Sequence, residues 1–213
     1  MRILWIGAHP DDELFVAPYL GAMHEEQGAT IGFFVATRGE RGPCYLKGGC
    51  KPNLATVRTR EMEKAAELFG GGVTFGDLPD GSGRTPEQVL KVWSRKKRRF
   101  LKAIEAFAPD QIMTLDPHHS GHPDDMAVGR IVTGFDLRVP IVLAESRPSW
   151  TYPMIITPAV ENAEAFDART HWHWLVLDLE CHPSQMRRVM IEDFFAASDA
   201  NRKVWLLPFQ PHG

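Results

Sequence analysis

Ile3-Leu4-Trp5-Ile6-Gly7-Ala8-His9-Pro10-Asp11-Asp12-Glu13 is the stretch on which the fold turns. Its first six residues are a nearly continuous apolar run, the mark of a strand buried on both faces of a parallel sheet. A polar string follows at once, with Asp11 or Asp12 placed to cap a helix. Leu14, Phe15, Leu20 and Met23, with Gly28 as the stop, predict that helix at about four turns, kinked at Pro18.

Working outward, residues 30–36 read as a second strand, 57–69 as a helix and 73–75 as a short strand. Pro86 opens a helix predicted to run to about residue 107. Strands are expected at 111–115 and 140–144, with a helix at 124–132 between them. This alternation predicts an α/β fold, a Rossmann-like, mostly parallel sheet flanked by helices, in a single domain over residues 1–213. Beyond it, 154–157 and 172–179 read as further strands and 184–197 as a final helix.

The composition sets bounds on function. A chain of 213 residues can bury roughly two thirds of its unfolded surface in one core. Its 44% apolar and 24% charged content is that of a globular protein rather than a disordered one. The net charge of -3 gives no electrostatic case for nucleic acid or an anionic membrane. No apolar stretch approaches the roughly 20 residues a membrane helix needs, and the first run is too short for a leader. Cys44, Cys50 and Cys181 are three and sparse, which argues against a disulfide framework and for a reducing, cytoplasmic setting. The basic run Arg95-Lys96-Lys97-Arg98-Arg99 is expected to be a solvated helix face. Trp150, Tyr152, Trp172 and Trp174 are candidates for stacking on a sugar or for packing.

The chemistry is concentrated in two clusters. In open α/β sheets ligands bind beyond the carboxyl ends of strands, which is where His9-Pro10-Asp11-Asp12-Glu13 falls. Imidazole and carboxylate suit zinc, and a catalytic zinc takes three protein ligands and leaves one position for water. His9 and Asp12 can converge on one ion across the turn, leaving Asp11 to act as a general base. The bland alternative is an acidic helix start favoured by the macrodipole. The second cluster, Asp116-Pro117-His118-His119-Ser120-Gly121-His122-Pro123-Asp124-Asp125, follows the strand at 111–115. It is the source of the missing third ligand.

The string Ala8-His9-Pro10-Asp11-Asp12-Glu13 resembles the PIG-L (LmbE-like) N-deacetylases, which remove acetyl from N-acetylglucosaminyl groups. The resemblance implies zinc held by His9 and Asp12, with Asp11 as base. It continues through Gly121-His122-Pro123-Asp124-Asp125, where the family pattern is Gly-His-Pro-Asp-His. His122 then matches the assisting acid and oxyanion stabiliser, Asp124 its orienting partner, and Asp125 stands where the family has its third, histidine ligand. A His-Asp-Asp set is an acceptable zinc site that leans toward harder ions such as Mn2+ or Mg2+. His118 or His119 could instead supply the ligand, or the site could bind without hydrolysing.

Further matches extend the resemblance. Thr37-Arg38-Gly39-Glu40 is similar to a substrate-side segment, placing Arg38 near substrate. Arg58 and Glu61 match an Arg-x-x-Glu helix whose arginine binds substrate oxygens. Asp80, in Leu78-Pro79-Asp80-Gly81, matches a contact to sugar hydroxyls. His182-Pro183-Ser184-Gln185 is similar to a His-x-Ser-Gln element of relatives, in a different setting. The implied activity is metal-dependent hydrolysis of the acetamide of an N-acetylated sugar or glycoconjugate, with another amide or an ester as the nearest alternative. Self-association into a homo-oligomer is compatible with the family.

Overall fold

A computed structural model of the chain describes residues 1–118, 120–144, 164–185 and 203–208. The first strand, β1 (Arg2–Gly7), is buried along all but its first residue, and β2 (Thr30–Val35) repeats that pattern. With β3 (Val73–Phe75), β4 (Gln111–Leu115) and β5 (Ile141–Ala144) they form a parallel sheet. Two further strands, β6 (Glu164–Asp167) and β7 (Lys203–Pro208), extend its edge antiparallel, giving the order β3-β2-β1-β4-β5-β7-β6. The expected mostly parallel α/β sheet is present. The last two strands went unread because 4–6 residues without clear alternation carry little signal.

The order matters for function. From β1 the chain runs outward through β2 to β3, then returns to β4 on the other side of β1. The β1–β4 boundary is therefore the topological switch point, where an open sheet leaves a crevice at its carboxyl edge.

Three sequence expectations need correction. The helix after β1 is not one kinked rod. A 3-10 turn covers Asp12–Phe15 and α1 (Ala17–Gln27) begins afresh, with Pro18 in its first turn, where a missing N–H costs nothing. The helix expected over 86–107 is two, α3 (Pro86–Trp93) and α4 (Arg98–Phe107), separated by a 3-10 turn at Ser94–Lys96. Residues 94–99 are exposed throughout, as expected for a solvated basic run. The segment read as a strand over 172–179 is helix α6 (Trp172–Leu179). Its buried Trp172, Leu175, Asp178 and Leu179 recur at helical spacing, but an apolar run this short does not show its period.

Helix α6 packs on α1 and on α2 (Leu54–Leu68), whereas α3 packs on α5 (Pro123–Thr133). Trp174 stacks on Phe69, ring centroids 5.3 Å apart, and lies over Gly21 so closely that a Cβ there would meet the indole at 2.1 Å. Trp172 is buried and Trp174 half-buried against the core, so both tryptophans serve packing rather than sugar stacking. Trp150, Tyr152, the strand expected at 154–157 and most of the helix expected at 184–197 lie outside the described residues.

The three cysteines make one local bridge rather than a framework. Cys44 and Cys50 form a disulfide within the loop after β2, while Cys181 is free and buried. Three cysteines can still pair two at short range, which a count over the whole chain cannot reveal.

Candidate active site

The site forms where four strands end. Asp12 folds back on its own turn, its Oδ2 accepting the backbone N–H groups of Ala8 at 2.7 Å and His9 at 2.8 Å. That fixes the carboxylate and leaves Oδ1 3.7 Å from His9 Nδ1. On the other side, His9 Nδ1 is 3.7 Å from Asp125 Oδ1, delivered by the first turn of α5 after β4. Zinc bonds of about 2.05 Å at tetrahedral angles separate neighbouring donors by about 3.4 Å. His9 Nδ1 stands near that spacing from Asp12 Oδ1 and from Asp125 Oδ1, while the tight grouping on the Asp125 side is completed by His122 rather than by Asp12.

Behind His9, its Nε2 meets Asp124 Oδ2 at 3.0 Å. A carboxylate on the far nitrogen is how a metal-ligating imidazole is usually oriented. Asp124 also accepts the Gly81 N–H at 2.8 Å, and its buried Oδ1 makes no hydrogen bond among the described residues. Gly81 is required here, since a Cβ would fall 2.1 Å from that oxygen. The expectation that Asp124 orients His122 is thus corrected: its carboxylate takes His9, and only its backbone N–H reaches His122 Nδ1, at 3.3 Å. The reason is position, because Asp124 is fully buried in the turn that faces back toward β1, whereas His122 stands at the half-buried helix cap.

His122 packs edge-on against His9, centroids 4.7 Å apart. Burial lowers its pKa, and the neighbouring His9 lowers it further. With Nδ1 accepting a backbone N–H, the neutral ring carries its proton on Nε2. His9 behaves oppositely. Burial alone would lower its pKa, but the carboxylates of Asp12, Asp124 and Asp125 raise it well above the usual value. Three carboxylates around one buried imidazole make a site that draws positive charge, and this donor set fits a divalent ion.

His118 is exposed, its N–H bound to Asp116 Oδ1 at 2.7 Å, and His119 lies outside the described residues. Among the described residues, the close groupings around His9 are with His122 and Asp125, and with Asp80 and Asp124. Asp80 is therefore brought to the site. Buried, it accepts the Ser82 N–H at 2.8 Å, the Ser82 hydroxyl at 2.6 Å and the Arg41 N–H at 3.0 Å. Burial opposes its ionisation, but the bonds from Ser82 and the charge on His9 prevail and lower its pKa.

Asp11 occupies the left-handed region at φ 93°, so it does not cap the helix, and makes no capping bond. Its Oδ1 accepts from Arg58 Nη2 at 2.8 Å. Burial raises the Asp11 carboxyl to about 6, against the pull of Arg58. Arg58 itself is neither solvated nor held out from the helix start. It is buried, and it also donates to the carbonyls of Pro10 and Gly39. Gly39 has φ 60°, and a Cβ there would strike the guanidinium at 2.0 Å. Arg38 is directed elsewhere, to Asp77 Oδ1 at 2.8 Å, Thr59 Oγ1 at 2.7 Å and the face of Phe75.

Sequence reasoning undervalued a further group. His182, Ser184 and Gln185 are buried and hydrogen-bond to Glu13, Glu61 and the Pro43 carbonyl. Helix α6, which precedes His182, reads as a strand from sequence alone.

Residues 4–135 match the family model described as PIG-L: GlcNAc-PI de-N-acetylase. The chain belongs to the PIG-L family. The mycothiol S-conjugate amidase of Streptomyces coelicolor is 29% identical over 146 residues, 62% of this chain and 50% of that protein. The probable N-acetyl-alpha-D-glucosaminyl L-malate deacetylase 2 of Bacillus cereus is 26% identical over 96% of this chain and 94% of its own length. This PIG-L chain spans about half the length of the first curated relatives it matches. Among solved structures, a deacetylase of teicoplanin biosynthesis superposes with a TM-score of 0.71 at 17% identity, covering 100% of both chains. GalB, a 4-carboxy-2-hydroxymuconate hydratase of Pseudomonas putida, does so at 0.65 and 18%, covering 100% of this chain and 97% of its own. At such identities these structures speak for the fold alone. No helix among the described residues is long and apolar enough to cross a membrane.

Proposed function

We propose that this PIG-L chain is a metal-dependent N-deacetylase, a hydrolase that cleaves the acetamide of an N-acetylglucosamine-type sugar or glycoconjugate. The observation that carries the reading is His9 Nδ1, 3.7 Å from both Asp12 Oδ1 and Asp125 Oδ1, with Asp11 pinned beside them. His9, Asp12 and Asp125 would hold the ion, zinc or a harder ion such as Mn2+, because two of three donors are carboxylates. When bound, the ion supplies Lewis acidity for the amide carbonyl and for water.

The chain's own groups carry out the proton transfers. Asp11 takes a proton from the attacking water, its carboxylate aimed by Arg58. His122 donates a hydrogen bond from Nε2 to the developing oxyanion, and Asp11 returns the proton it took from water to the departing amine. Asp124 fixes the ring of His9 rather than reacting. Asp80, among its Ser82 and Arg41 donors, is placed to receive sugar hydroxyls. Arg38 lacks that placement and is left out of the substrate set. Arg58 acts through Asp11.

The relatives named for deacetylation of N-acetylglucosaminyl compounds support this substrate class. A cytoplasmic setting and a homo-oligomer remain parts of the proposal. The test is release of free amine from N-acetylglucosaminyl-inositol and N-acetylglucosaminyl-malate by metal-loaded protein. Wild type is expected to turn over at least one of them, and Asp11→Asn to lose nearly all of that rate; equal rates for the two proteins would remove Asp11 as the base. A second reading keeps the metallohydrolase but changes the amide, and the amidase relative favours it. Turnover of a thiol-conjugated glucosaminyl amide, with both acetylated sugars left intact, would establish that reading.

A further inference from the structure

Asp11 sits at φ 93°, an uncommon backbone conformation for a residue with a Cβ even though Asp tolerates it better than most. Something must hold it there, and two chains of hydrogen bonds do so. Along the first, the Asp11 N–H donates to Glu13 Oε2 at 3.1 Å, and Glu13 Oε1 meets His182 Nε2 at 2.5 Å. Along the second, the Asp11 carboxylate accepts from Arg58 of α2. One turn later on α2, Glu61 accepts the Ser184 N–H at 2.9 Å and its hydroxyl at 2.6 Å. Both chains end on the same four residues, His182 to Gln185. Gln185 adds a third tie, donating to the Pro43 carbonyl at 2.8 Å in the loop that carries Gly39.

The inner cluster is dry. Glu13, Asp178, His182 and Ser184 are each 0% exposed. Glu13, Asp178 and His182 lie close enough to suggest a cation site, but Glu13 and His182 already touch, which leaves no room for an ion between them. Burial alone would lower the His182 pKa, yet the Glu13 and Asp178 carboxylates raise it to about 9. His182 is thus a buried imidazolium paired with Glu13. The Asp178 carboxylate lies 3.8 Å away and makes no hydrogen bond among the described residues.

We infer that the segment His182-Pro183-Ser184-Gln185 is a positioning clamp for Asp11, holding its backbone through Glu13 and its carboxylate through the Glu61–Arg58 helix. The segment lies beyond the residues 4–135 matched by the family model, so the far end of the chain sets the geometry of the turn after β1. This inference rests on the reading of Asp11 as the base. His182, fully buried, acts through Glu13.

The test compares His182→Leu, His182→Gln and Ser184→Ala in the full chain. A displaced base lowers kcat by about tenfold to a hundredfold with a near-normal KM. That is expected of His182→Leu, with most of the rate restored by His182→Gln, whose amide can still donate to Glu13. Ser184→Ala, which leaves the dry ion pair intact and so keeps the fold, is expected to show a smaller fall in kcat alone. Added to Asp11→Asn, His182→Leu is expected to cost no further rate; a multiplied loss would mean a general structural role and overturn the clamp. Crystal structures of the same variants give a readout independent of turnover. Asp11 leaving the left-handed region in His182→Leu supports the clamp, and Asp11 unmoved in both His182→Leu and Ser184→Ala, with kcat unchanged, overturns it. Should wild type deacetylate nothing, the base assignment fails, while those structures still decide the clamp.

Discussion

At the residue scale, the sequence exposed the donors but not the way they face each other. His9, Asp11 and Asp12 stand just past an apolar strand, where chain position predicts a site, whereas Asp125 was marked as a candidate by the family resemblance, with His118 and His119 as alternatives. Which carboxylate reaches which nitrogen is a tertiary fact: Asp124 Oδ2 is 3.0 Å from His9 Nε2, and no spacing of residues 115 apart could show it. Asp11→Asn is expected to lower kcat by about 10²- to 10⁴-fold, the usual reach of a general base, with KM nearly unchanged in steady-state assays. Arg58→Lys keeps the charge but loses the planar fork that spans Pro10, Gly39 and Asp11. It is expected to reduce kcat at least about tenfold, read in the same assay; a wild-type rate would show that Arg58 does not aim Asp11.

At the element scale, helix α6 is the part that sequence reading misjudged most. Trp172 to Leu179 is an apolar run with a single charge, and its neighbours decided its form: α1 and α2 offer a surface on which a helix can lay Leu175 and Leu179. Leu175 is 4% exposed, so Leu175→Ala is expected to cost about 2–4 kcal/mol, measured by urea unfolding. A loss under about 0.5 kcal/mol, the range of surface substitutions, would mean that α6 is not docked as described. The disulfide belongs to the same scale. Cys44–Cys50 closes a loop of sequence separation 6, for which chain entropy gives about 2 kcal/mol. The Cys44→Ser/Cys50→Ser double variant is expected to lose about that much unfolding free energy, measured in urea, with Asp11 and Arg58 undisturbed.

At the scale of the whole molecule, alternating runs were enough to read the parallel sheet, because a strand buried on both faces is apolar along its whole length. The antiparallel pair at the edge and the return of the chain to the switch point were not legible, since both depend on which distant segments pair. That return has a measurable signature in pH. His182, faced by Glu13, Asp178 and Asp11, has its folded pKa raised from 6.5 to about 9. Its contribution is therefore complete below pH 6.5 and is lost as pH rises toward about 9. The Asp178 carboxyl is raised by burial and then by Glu13, which adds a loss of the same sign from acid pH upward. Unfolding free energies taken between pH 6.5 and 9 are expected to fall with pH in wild type and to flatten in His182→Gln. Parallel slopes would mean that His182 is not the buried cation.

The measurement that bears most directly on the account is the rate of amine release from an N-acetylglucosaminyl substrate as zinc or manganese is titrated into metal-stripped protein. The account predicts a rate that starts near zero, saturates at about one ion per chain, as three protein ligands around one ion require, and is abolished in Asp125→Ala. A rate independent of metal, or an Asp125→Ala variant that saturates like wild type, would contradict it.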